Sequence, residues 1–280
     1  MSRTVQTKGH TLNIGADEKD LCHILAERIV EMAAASSATD PFTMLLSGGS
    51  TPKGLYKKLA ELPEGKMPWN RTFLFLGDER CVSHSDGDSN YKMVSDTLLS
   101  RISIPSTNVF PTINQDKDPG DSARIYEQTI KRFFRAPADE LEILASDEDA
   151  IPSWNQPETE DEEDDYPLVF PDFSLALLGL GPDGHTASLF PGTAALDEKE
   201  RICVANFVPK LEAFRLTLTR PTFAHCQKVF FLVAGAGKKE ILKEVLFEPE
   251  HEYPSQIVAH DCGNAKVEWY VDEASVEGLV

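Results

Sequence analysis

The chain has few cysteines, no long apolar run and no basic segment, and each shortage removes a class of protein. Five cysteines (Cys22, Cys81, Cys203, Cys226, Cys262) are scattered over 280 residues without a C-x-x-C pair. An odd, dispersed set excludes a disulfide framework and a thiolate zinc site, and it suits a reducing compartment. No window approaches the roughly 18 apolar residues of a membrane span. MSRTVQTKGH at the start lacks the apolar core of a secretory signal. A cytoplasmic protein without membrane contact is therefore expected. Lys and Arg total 27 against 46 Asp and Glu, and no segment offers the basic stripe that nucleic acid requires.

The formal charge of −19 is uneven. Residues 139–167 hold thirteen Asp and Glu and no Lys or Arg, and setting them aside leaves −6, an ordinary value. This stretch is polar and punctuated by Pro152, Pro157 and Pro167, so it reads as a disordered acidic insertion within one domain covering residues 1–280. A contact with a partner protein through this insertion is the other expectation its charge supports.

What remains is rich enough in apolar residues, 41% of the chain, for a substantial core. Four short apolar runs stand out: FTMLL (42–46), FLFL (73–76), FSLALL (173–178) and VFFLV (229–233). None alternates cleanly, which suits strands buried on both faces of a parallel sheet. VEWYV (267–271) would add a final strand. Helical spacing occupies the intervals: Leu21, Leu25, Ile29 and Met32 in 17–35, then Leu55, Leu59 and Leu62 after Thr51 and Pro52, read as N-cap and first helical position. Residues 90–102 and 121–134 read as two further helices. The expected fold is an open, doubly wound, mostly parallel α/β sheet, Rossmann-like, with helices on both faces.

Each of the four apolar runs is followed by a glycine-containing turn, SGGST, GDER, GLGPDGH or GAGK. Parallel strands bring all four to the carboxyl edge, where open α/β sheets bind ligands. In SGGSTPKG, Ser47, Gly48, Gly49 and Ser50 lead into a helix whose exposed N–H groups suit an anion or an ordinary cap. It is not a Walker A loop, because Leu55 follows Gly54 where lysine is required. GLGPDG matches G-x-G-x-x-G but fails its context, since Pro191 and Gly192 interrupt any following helix and no acid ends the next apolar run. The turn instead presents His185, two residues after Asp183, at a strand's carboxyl end. A histidine there can act as base and then acid. Asp78, Glu79 and Arg80 in GDER, and Lys238 in GAGKK, read equally as a salt-bridged turn and a solvated cation. FRLTLT (214–219) reads as a strand with Arg215, Thr217 and Thr219 on one side. No G-x-S-x-G nucleophile elbow is present.

LLSGGSTPKGLY, FLGDERCVSHSDGDSNY, LLGLGPDGHTASLFPG, FRLTLT and FLVAGAGKKEIL, in this order, resemble the 6-phosphogluconolactonases, from about residue 17 to 271 with the acidic insertion left out. The resemblance implies hydrolysis of 6-phosphoglucono-1,5-lactone to 6-phosphogluconate, the second step of the oxidative pentose phosphate pathway, with no metal or organic cofactor. It makes His185 the base that takes a proton from water. Arg80 would anchor substrate or stabilise the oxyanion, Asp78 would bind sugar hydroxyls or order the site, and Asp183 would orient the DGH turn. Ser47, Gly48, Gly49, Ser50, Arg215 and Lys238 would hold the 6-phosphate. The related glucosamine-6-phosphate deaminases carry a glutamate five residues after the histidine. Phe190 stands there in this chain, which favours the lactonase over the deaminase; a non-catalytic sugar-phosphate sensor, with the acidic insertion as its partner contact, is a third reading.

Overall fold

The computed structural model describes residues 2–112, 118–136, 169–248 and 252–280, so the acidic insertion at 139–167 lies outside the described residues. Eleven strands are formed by these residues: β1 (Arg3–Thr7), β2 (His10–Gly15), β3 (Phe42–Leu46), β4 (Thr72–Leu76), β5 (Asp78–Arg80), β6 (Val109–Phe110), β7 (Leu175–Gly179), β8 (Cys203–Val208), β9 (Ala213–Leu218), β10 (Val229–Val233) and β11 (Val267–Asp272). The helices are α1 (Glu18–Ala34), α2 (Ser50–Ala60), α3 (Asn90–Thr97), α4 (Pro119–Arg135), α5 (Arg220–His225), α6 (Lys239–Phe247), α7 (Pro254–Cys262) and α8 (Glu273–Val276).

The main sheet has the order β1-β2-β11-β10-β7-β3-β4-β6, with every pair parallel except the β1–β2 hairpin. From β3 the chain winds outward through β4 to β6. It then returns to the other side of β3 as β7 and winds the opposite way through β10 to β11. The order therefore reverses between β3 and β7, and a crevice opens beyond their carboxyl ends.

The central strands carry no polar alternation because both faces are buried. Met44, Leu46, Leu74, Leu76, Leu175 and Leu177 pack in one core with α1 and α2. Their neighbours Leu45, Phe73, Phe75, Ala176 and Leu178 pack in the other, with Tyr126, Ile130 and Phe133 of α4 and Leu242 and Val245 of α6. The aromatic residues Phe75 and Phe110 stack at 4.1 Å within that second core. This is the expected doubly wound arrangement.

Four details differ from the sequence reading. The opening residues form an antiparallel hairpin that extends the sheet beyond β11. GDER is not a simple turn, because Asp78–Arg80 is a short strand of a second, antiparallel sheet ordered β5-β9-β8. Helix α2 begins at Ser50 with Gly49 as its N-cap, so Thr51 lies inside the helix instead of capping it. Residues 90–102 hold α3 and then a separate 3-10 turn, Leu99–Arg101. No helix among the described residues is long and apolar enough to cross a membrane.

Candidate active site

The turns after β3, β4, β7 and β10 meet as their parallel order requires, and they line a cleft of about 430 Å³. Nine of the ten residues singled out in the sequence line it: Ser47, Gly48, Gly49, Ser50, Asp78, Arg80, His185, Arg215 and Lys238. The tenth, Asp183, stands behind His185.

The histidine is held by its own turn. The Gly181 N–H donates to the His185 carbonyl at 2.8 Å and the Gly184 N–H to the Gly181 carbonyl at 3.1 Å, closing the loop. A Cβ on Gly181 would lie 2.0 Å from His185 Nδ1, so this glycine exists to seat the ring. Gly184 has φ +73° and touches the Tyr253 ring, which excludes any side chain there. Two of the three glycines of G-x-G-x-x-G are thus explained by packing, Gly181 against the histidine and Gly184 against Tyr253, whereas a Cβ on Gly179 would meet nothing.

His185 Nδ1 lies 2.5 Å from Asp183 Oδ1. An ionised carboxylate only accepts, so the ring proton sits on Nδ1 and Nε2 keeps its lone pair. Phe190 stacks on the ring at 4.1 Å between centroids. Burial is the largest influence and pushes the imidazole down to about 4; Asp78 opposes this, while Lys238, Arg215 and Arg80 reinforce it. Burial thus favours the neutral ring near pH 7.

A second region of the cleft gathers helix N–H groups, a hydroxyl and three cationic side chains. Helix α2 opens on Gly49 (φ +112°) with no side-chain cap, leaving its first N–H groups available. Ser47 is almost wholly buried, and its Oγ has no hydrogen-bond partner among the described residues. Arg80 and Arg215 are directly opposed across the β5–β9 ladder. Like charges in that register repel unless an anion lies between them. Burial and the Arg80 charge together hold Arg215 below its ordinary value. The Arg215 guanidinium makes no hydrogen bond or ion pair to any described residue, whereas Arg80 Nη1 donates to the Asp88 carbonyl. Lys238 Nζ donates to the Leu180 carbonyl at 2.5 Å, tying the GAGK turn to the histidine turn, and burial lowers its ammonium.

Asp78 is fixed between these regions. Ser188 Oγ donates to its Oδ2 at 2.7 Å, and Asn90 Nδ2 donates to its carbonyl at 3.0 Å. Ser188 in turn follows Ala187, whose φ of +47° is unusual for a residue with a side chain. Asn90 explains Gly48: a Cβ there would sit 1.9 Å from Asn90 Oδ1. The close approach at Gly48 is thus made by a protein amide.

Sequence reasoning missed Asn90, Ser188, Lys210 and the role of Glu79. Glu79 is not a surface partner of Arg80 but a fully buried carboxylate. It accepts from Ser89 Oγ and the Asn90 and Tyr91 N–H groups at 2.7–3.0 Å, which pins the start of α3 against β5. Burial pushes its carboxyl up, opposed by those N–H donors. The only sequence signal was GDER followed ten residues later by SN, a spacing that becomes meaningful only when a strand and a helix start are placed side by side. No group of three or more His, Cys, Asp and Glu that could hold a metal occurs among the described residues.

This architecture has relatives. The family model described as glucosamine-6-phosphate isomerases/6-phosphogluconolactonase matches residues 16–269. A 6-phosphogluconolactonase of Synechocystis sp. is 36% identical over 241 residues, covering 85% of this chain and 84% of that protein. The 6-phosphogluconolactonase of Homo sapiens is 31% identical over 274 residues, covering 96% and 93% respectively. Among solved structures, 6-phosphogluconolactonase from Trypanosoma cruzi aligns with a TM-score of 0.74 at 28% identity, over 99% of each chain. A family model matched over residues 16–269 and relatives 31–36% identical across most of the chain place it in the glucosamine-6-phosphate isomerase/6-phosphogluconolactonase family.

Proposed function

We propose that this enzyme hydrolyses 6-phospho-D-glucono-1,5-lactone to 6-phospho-D-gluconate, the second step of the oxidative pentose phosphate pathway, with His185 as general base. The observation that carries the reading is His185 on the cleft wall with its Nδ1 2.5 Å from Asp183 Oδ1, a contact that leaves the other ring nitrogen for substrate water. Water adds its oxygen to C1 while Nε2 takes its proton, and the carbonyl electrons move onto the exocyclic oxygen. Collapse of that intermediate breaks the bond from C1 to the ring oxygen, which leaves with the proton held by His185. Asp183 stays ionised and stabilises the imidazolium between the two transfers.

Arg80 supports the developing oxyanion or the bound substrate. The uncapped start of α2 with Gly48 and Gly49, the hydroxyls of Ser47 and Ser50, Arg215 and the remaining donors of Lys238 hold the 6-phosphate. Asp78 has lone pairs left beyond its contacts with Ser188 and Asn90, and these accept sugar hydroxyls. Phe190 speaks against deamination of an amino-sugar phosphate, because a phenyl ring can neither give nor take a proton at a position where that chemistry uses a carboxylate.

The test is His185→Ala assayed by stopped flow on freshly generated lactone, with spontaneous hydrolysis subtracted. A fall of roughly a hundredfold or more is expected, the usual loss for a general base. A folded variant with undiminished activity would falsify the assignment. Glucosamine 6-phosphate should release no ammonia.

A further inference from the structure

Lys210 was not singled out by the sequence, yet it touches both groups that hold the histidine. It sits on the 3-10 turn Pro209–Leu211 at the tip of the β8–β9 hairpin. Its Nζ donates to Asp183 Oδ2, the carboxylate oxygen that His185 does not use. The same ammonium lies 4.8 Å from the centre of the Phe190 ring, whose face is stacked on His185. Asp183 is thus gripped from two sides, and the ring is flanked by two groups that share one lysine.

We infer that Lys210 is a positioning residue for the proton chemistry, holding Asp183 on His185 Nδ1 and balancing its charge so that the ring stays a free base. The inference rests on the reading of His185 as general base. The physical reason is a competition for one carboxylate. An aspartate alone beside a histidine favours the imidazolium, whereas a lysine on its second oxygen offsets that attraction. The lysine also fixes the carboxylate rotamer, so Nδ1 remains the donor. The other charges that face the ring are Asp78 and Arg80 from β5, Arg215 from β9 and Lys238 from the turn before α6. All of these are left in place when Lys210 is changed.

Lys210 is about half exposed, so its replacement should not unfold the protein. The experiment compares pH profiles of kcat/KM for wild type, Lys210→Met and Lys210→Arg, with thermal melts as a check on folding. Lys210→Met is expected to move the acid limb upward by about half a unit to one unit, less than for a buried direct neighbour because solvent screens the pair. Lys210→Arg should restore the wild-type limb. An unmoved limb in Lys210→Met, with or without a lower kcat, overturns the inference and leaves a surface ion pair of little consequence. A downward shift, or failure of arginine to restore the limb, overturns it equally. Loss of activity in His185→Ala is measured alongside: if that variant stays fully active, the reading of the base fails, whereas an unmoved Lys210→Met limb with an inactive His185→Ala refutes Lys210 alone.

Discussion

Gly181→Ala isolates the seating of the histidine from every other property of the site. Gly181 does not have a positive φ, so alanine fits its backbone, and the change adds one methyl group. That methyl would lie 2.0 Å from His185 Nδ1, 2.1 Å from Cε1 and 2.6 Å from Cγ. Ordinary contact begins at 3.4 Å, so the ring must retreat by 1.4 Å at its nearest atom. It cannot retreat freely, because Phe190 stacks on it and Asp183 holds Nδ1. Overpacking of this kind costs about 1–3 kcal/mol of stability, which an otherwise intact domain tolerates. A displacement of about an ångström at a reacting group costs roughly a hundredfold in rate. The expected result is therefore a folded variant, slightly lower in Tm, with kcat/KM on fresh lactone down by about two orders of magnitude. Wild-type kcat/KM in Gly181→Ala would show that the glycine has no part in placing the ring, and the packing explanation of GLGPDG would fail with it.

Three further outcomes follow from the charges in the cleft. A base must be neutral to act, and burial holds His185 down to about 4, so the acid limb of wild-type kcat/KM is expected near that pH. A limb near the ordinary histidine value of about 6.5 would refute it. Since the folded value lies below the unfolded one, the unfolded chain binds the proton first; His185 therefore erodes stability as pH falls from about 6.5 towards 4, and His185→Gln should lose less Tm over that range. Arg215→Gln removes one of two opposed cations, so Tm should hold or rise while kcat/KM falls about 10- to 100-fold through loss of a charge-assisted phosphate contact. Unchanged kinetics in that variant would remove Arg215 from the binding site.

Much of this molecule was legible from local pattern. FTMLL and VFFLV coincide with β3 and β10 residue for residue, because a strand buried on both faces must be apolar at every position. Parallel winding then determined that SGGS, the turn bearing His185 and GAGK share one edge, since each follows the carboxyl end of a neighbouring strand. What the sequence could not carry was contact between segments far apart in the chain. Glu79 looked like part of a surface salt-bridged turn until β5 and the start of α3 enclosed it, and that Gly48 must be a glycine because Asn90 packs against it shows only in the fold. Ser188 meets Asp78 across 110 residues, and Lys210 meets Asp183 across 27. Burial, which sets the protonation of His185, likewise belongs to the assembled fold. Local periodicity is written in neighbouring residues and follows from backbone geometry; charge balance and side-chain registry depend on which distant surfaces the packed sheet brings together.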